Sequence, residues 1–121
     1  MTNAGSTHLA VPITTNNGNF YRVLLHLPLD YPNSKPTVIV TYPSPLVGHG
    51  NVDITTYGAS EKMHTLEPID GYVQICHYLG SLWHPNVTLY KVLIKARLWL
   101  EAFEGHRKSG KPLSRYLKSQ L

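Results

Sequence analysis

The feature that most constrains this chain is a proline-free apolar repeat near its C-terminal end, from Leu89 to Phe103. Leu89, Val92, Leu93, Ala96, Leu100 and Phe103 fall at i, i+3, i+4, i+7, i+11 and i+14, a spacing that gathers side chains on one face of an α-helix. The pattern predicts a helix over Leu89 to Glu104, widened by Tyr90, Ile94 and Leu98 so that much of its circumference is buried. Asn86 or Thr88 is placed to cap its start. Gly105 is the candidate for the residue just past its end, with Pro112 stopping any continuation. If the helix runs further, Glu104 and Lys108 stand in the favourable i, i+4 order.

An apolar helix face needs a partner surface, and the residues before it supply strands. His8 to Ile13 and Phe20 to Leu27 (FYRVLLHL) read as strands joined by the turn-rich TTNNGN. Thr37 to Tyr42 (TVIVTY) is β-branched at nearly every position and is the clearest strand of the chain. Between the last two, DYPNSKP holds two prolines, neither able to donate to a sheet ladder. Short links between three strands predict an antiparallel meander, hence an α+β fold with the helix packed on the sheet. From Pro43 to Asp70 the regular pattern dissolves into a long Gly-, His- and Pro-containing stretch. It reads as a mobile or partner-facing loop with a short strand at Ile54 to Tyr57.

Composition narrows the function classes. A chain of 121 residues is one domain, able to bury about two thirds of its unfolded surface. No apolar run is long enough to span a membrane and the first residues hold no apolar signal core, so the chain reads as cytoplasmic. One cysteine, Cys76, excludes an internal disulfide. The net charge of +4 is concentrated at Arg107, Lys108, Lys111, Arg115 and Lys118. This stretch reads as a basic tail or short helix suited to an acidic partner. It carries only Tyr116 as an aromatic and so lacks a stacking platform for nucleic acid, which argues against nucleic acid as its partner. Lys111 and Lys118 are also candidate modification targets. The seven histidines lack the convergent paired spacing of a metal site, and no phosphate loop, Ser-His-Asp set or paired carboxylates stand out, so no cofactor is expected.

Several short motifs occur in a telling order: Tyr31, Pro32 and Pro36 before the β-branched strand; Gly71, Ile75 and Cys76; then Trp83, Pro85 and Thr88 opening the apolar helix. Together, over about residues 8 to 104, they resemble the ubiquitin-conjugating (E2, UBC-like) family, and the ending WLEAFEGHRKSGKPL resembles bacterial E2-like proteins of ubiquitin-like conjugation operons, some of them antiphage. The resemblance implies a UBC-like antiparallel β-meander packed on a central C-terminal helix, with no counterpart of the first E2 helix expected before the first strand. The His-Pro-Asn tripeptide expected before the cysteine is also missing from its place, where HTLEP stands. It implies a carrier that accepts a ubiquitin-like modifier as a thioester on Cys76 from an E1-like activating enzyme and passes it to an amine, in some cases on a protein acceptor. The residues implied for the chemistry are Cys76 as nucleophile, His77, Asn86 or His84 and backbone amides at the oxyanion, and Asp70 or His64 at the amine. Each also has a structural reading: Cys76 as core, His77 at a strand end, Asn86 as a helix cap, Asp70 as a turn former, Trp83 as an anchor under the helix. The shortened Cys76-to-Trp83 spacing keeps an alternative open, an inactive UEV-like module that binds ubiquitin or a short peptide.

Overall fold

The computed structural model describes residues 7–77 and 83–117. Five strands form one antiparallel sheet: β1 (Thr7–Thr14), β2 (Phe20–Leu27), β3 (Thr37–Tyr42), β4 (Thr65–Ile69) and β5 (Tyr72–Ile75), in the order β1-β2-β3-β5-β4. The long helix α1 (Leu89–Ser109) covers one face, and a single-turn helix α2 (Ser114–Leu117) packs against its C-terminal end. The fold is therefore α+β, and β1, β2 and β3 form the expected meander, with β2 and β3 at the expected bounds.

The sheet divides its side chains by the period of two. Tyr21, Val23 and Leu25 of β2 are buried, as are Val38 and Val40 of β3 and Val73 and Ile75 of β5. They meet Val92, Ala96, Trp99, Leu100 and Phe103, which recur along α1 at helical spacing and are almost fully buried. Trp99 and Phe103 stack with ring centroids 5.7 Å apart, and Tyr21 meets Phe103 edge-on at 6.3 Å. The buried stripe is narrower than the sequence pattern predicts. Tyr90 is 72% exposed and Ile94 lies open as well, because the sheet reaches only one side of the first turns of α1.

The stretch from Pro43 to Asp70 is the main correction. Leu46, Ile54 and Met63 are buried in the core, Ile54–Tyr57 is a 3-10 turn capped by the Asp53 side chain, and Thr65–Ile69 is a strand. This segment thus belongs to the core rather than to a partner-facing loop. β4 and β5 are joined by Asp70 and Gly71, with φ of 52° and 80°, the pair of positive φ values that a two-residue type I′ hairpin requires.

The helix end also lies elsewhere. α1 continues through Gly105 to Ser109, and Gly110 closes it at φ 79° with its N–H on the His106 carbonyl. Gly105 is small for a different reason: a Cβ there would sit 2.9 Å from the Tyr116 ring, so the glycine makes room for α2. Leu113 and Leu117 are buried, so the basic segment is docked on α1 as far as Leu117 rather than trailing as a solvated tail. At the start of α1, Thr88 is the cap, its hydroxyl accepting from the Lys91 N–H at 3.2 Å. Trp83 donates from Nε1 to the Pro32 carbonyl at 3.0 Å and faces Tyr31, tying the proline-rich turn to the approach of the helix. Lys118 lies outside the described residues.

The anticipated Glu104–Lys108 pair does not form, because Glu104 faces inward. Its carboxylate accepts from Thr15 Oγ1 at 2.8 Å, Asn17 Nδ2 at 2.8 Å, Asn19 Nδ2 at 2.9 Å and Tyr21 Oη at 2.7 Å. Glu101 adds a bond from the Asn16 N–H at 2.8 Å. The β1–β2 turn is thus held onto α1 by side-chain carboxylates.

Candidate functional site

Cys76 follows directly on the last residue of β5, where the strand passes beneath α1. Its N–H donates to the His64 carbonyl at 3.0 Å. The same carbonyl accepts from Trp99 Nε1 at 2.9 Å, and the Met63 carbonyl shares that indole donor at 3.1 Å. These bonds fix the start of β4, the end of β5 and the middle of α1 around one point. The cleft at that point is lined by His64, Cys76, His77, Lys95, Leu98, Trp99 and Leu117. The cleft is partly open and holds about 10 Å³, room for about one water molecule.

The electrostatics of the cleft follow from burial and two ammonium groups. Cys76 is 9% exposed, and burial raises its thiol pKa, while the positive charges of Lys35 and Lys95 work in the opposite direction. The net displacement is upward, so the thiol is protonated at neutral pH. His77 is 2% exposed, and burial, joined by Lys35, lowers its pKa to about 4. It is neutral at pH 7, and so is His64, whose pKa burial also lowers. Lys95 is displaced downward by burial first and then by Lys91, which eases loss of its proton. The cleft therefore holds a thiol, two neutral imidazoles and an ammonium group of reduced basicity. A thiol so placed can act as an acyl acceptor, and a neutral imidazole can take a proton.

Of the residues expected at a site, the fold brings Cys76, His77 and His64 together. Asp70 is the hairpin residue at the far end of β5, and the four residues of that strand lie between its turn and Cys76. Asn86 is exposed in the turn before α1, its N–H donating to His84 Nδ1 at 3.3 Å, and it is absent from the lining of the cleft. Lys95 and Leu117 carry no site signal in the sequence, and Leu98 reads there only as part of the helix face. The helical period identifies the side of α1 that Lys95 and Leu98 occupy, but nothing local says that this side meets the end of β5. The Asp-Gly pair was the available signal for the β4–β5 hairpin, and with it for the meeting of His64 and Cys76.

Among the described residues no group of three or more His, Cys, Asp or Glu side chains converges as metal ligands do, and no helix is long and apolar enough to cross a membrane. Compared with family models, with curated proteins and with solved structures, the chain finds no match.

Proposed function

We propose that this chain is an E2-like carrier of a ubiquitin-like modifier, with Cys76 as the acceptor thiol in a UBC-like fold. The observation that carries the reading is the setting of the chain's single cysteine: it closes a hairpin strand beneath the central helix, in a cleft shared with His64, His77 and Lys95. The order of the motifs supports it further, with the Tyr-Pro turn, the Gly-x-x-x-Ile-Cys strand and the Trp-His-Pro turn preceding the helix.

In this reading the Cys76 thiol gives up its proton to a base and its Sγ attacks the modifier's C-terminal carbonyl carbon, held as a thioester on an E1-like activating enzyme, whose thiolate leaves and takes up a proton. An acceptor amine, on a protein or another molecule, then attacks the same carbon. The C–N bond forms, the Cys76 thiolate is released, and the amine proton passes to a base, for which His64 and His77 are the neutral candidates. Asp70 has no part, being at the opposite end of β5.

The test is intact mass after incubation with a candidate ubiquitin-like partner, its activating enzyme and ATP, with and without reductant. A reductant-sensitive adduct that disappears in Cys76→Ser supports the carrier. A second reading, a non-catalytic UEV-like binding module, is favoured by the burial of Cys76 and the raised pKa of its thiol. Absence of any adduct, together with ubiquitin or peptide binding that survives Cys76→Ser, would establish that reading instead.

A further inference from the structure

The sheet has a second face, turned away from α1. Because Tyr21, Val23 and Leu25 point into the core, Phe20, Arg22, Leu24 and His26 point outward. The register sets their neighbours. Arg22 lies between Pro12 and Tyr42, Leu24 between Ala10 and Ile39, and His26 between His8 and Thr37. Phe20 and Tyr42 are 42% and 50% exposed, with ring centroids 5.8 Å apart. The Arg22 guanidinium sits 5.5 Å from one ring centre and 5.9 Å from the other, within cation–π range. At the other end of the strands, His8 and His26 stack at 4.5 Å. The row between is aliphatic, with Ala10 exposed, Leu24 half-buried and Ile39 buried.

Charge selects the occupant. None of these outward strand positions carries a carboxylate. Glu67 of β4 is directed toward the Ala59 N–H, and Glu101 and Glu104 lie on the opposite side of the sheet, bonded to the β1–β2 turn. A partner stacking on this face thus meets a cation, two imidazoles and aromatic rings, with no carboxylate to repel it, on a chain of net charge +4. Flat π-systems joined to a polyanion are what such a surface fits, and exposed sheet aromatics that stack two or three bases are a recurring solution for single strands. The five residues from Arg22 to His26, four steps along the strand, span about 13 Å, the length of a short single-stranded segment.

We propose that the outer face of the sheet binds single-stranded nucleic acid, with bases stacked on Phe20 and Tyr42 and the backbone drawn by Arg22. This site is independent of Cys76. It also supplies the platform that the basic C-terminal residues lack.

The test is fluorescence anisotropy of the full chain with labelled dT12 and rU12 at low and moderate salt. Binding is expected to weaken as salt rises. Phe20→Ala and Tyr42→Ala should each lower affinity by roughly five- to hundredfold, the loss of one stacked base. Tyr42→Phe, which keeps the ring, should retain affinity, so a fold defect cannot imitate the result. Arg22→Ala should weaken binding and reduce the salt slope by about one. Absence of oligonucleotide binding at low salt overturns the proposal. So does binding that ignores the two aromatic substitutions and falls only when Arg107, Lys108, Lys111 and Arg115 are neutralised.

Discussion

Replacing Glu104 by alanine tests how the β1–β2 turn is held to the helix. The carboxylate is 9% exposed and accepts four hydrogen bonds. Two of the donors, the hydroxyls of Thr15 and Tyr21, belong to buried residues. Glu104→Ala leaves both without this acceptor, and a buried unsatisfied donor costs about 1–3 kcal/mol. Thr15 keeps a weak alternative, the Asn19 carbonyl at 3.5 Å, so the expected total is about 3 kcal/mol. For a chain of this length that is a fall in Tm of about 10 °C. Glu104→Gln keeps an acceptor oxygen but loses the charge and turns an NH2 toward Asn17, costing about 1–2 kcal/mol. Tyr21→Phe should cost about 1–2 kcal/mol, and the double variant with Glu104→Ala should cost at least 1 kcal/mol less than the sum, because the stranded hydroxyl is gone. The sign of the pH effect is fixed by the same bonds. Burial alone would raise the Glu104 pKa, yet the hydrogen bonds from Tyr21, Asn19, Thr15 and Asn17 bring it below the ordinary value. A depressed carboxylate contributes its full stabilisation above its unfolded pKa and loses it as pH falls through the folded one. Glu104→Gln should therefore flatten the acid limb of the stability curve. Urea unfolding at pH 7 with unchanged slope is the assay. A cost below 1 kcal/mol for Glu104→Ala, or strict additivity with Tyr21→Phe, would refute the account.

His77 gives a second pH signature. Its pKa is lowered to about 4 by burial and Lys35, so the unfolded chain takes up a proton first as pH falls; stability is complete above about 6.5 and declines by about 3 kcal/mol between there and 4. Urea midpoints across that range should lose most of this decline in a folded His77→Gln variant. Gly48→Ala places a Cβ 2.7 Å from both His106 Nε2 and Ile54 Cδ1, two buried side chains, and should cost about 1–3 kcal/mol by overpacking; thermal unfolding measures it. Gly105→Ala gains helix propensity but meets the Tyr116 ring, so it should be neutral or mildly destabilising alone. In a Tyr116→Ala background, where the obstacle is gone, the same change should stabilise by about 1 kcal/mol in urea unfolding. Iodoacetamide should label Cys76 more slowly at pH 7 than an exposed thiol, because burial keeps it protonated. Leu117→Ala, which removes one side of the cleft, should speed the labelling, as read by mass spectrometry.

Much of the framework was legible in the sequence because it rests on local rules. Prolines and turn formers separate FYRVLLHL from TVIVTY, and a β-branched run has one comfortable conformation, so β2 and β3 could be bounded to the residue. The start of α1 is similarly local, a threonine hydroxyl bonding to an N–H three residues on. Only the tertiary structure decided the rest, where long-range contacts outweighed local preference. Gly105 has the signature of a helix end, yet the helix passes through it to Ser109, and the residue is glycine because Tyr116, eleven residues later, occupies the space a side chain would need. Thr65–Ile69 has a weak strand pattern and becomes a strand because β5 pairs with it across the Asp70–Gly71 turn. Glu104 reads as a solvent-facing partner for Lys108, and four donors from the β1–β2 turn and the start of β2, more than eighty residues earlier, draw it inside. The cleft at Cys76 is of the same kind. The residue types were visible one by one, but the strand length that separates Cys76 from Asp70, and the packing that sets it beside His64 and Lys95, exist only once the sheet and helix are joined.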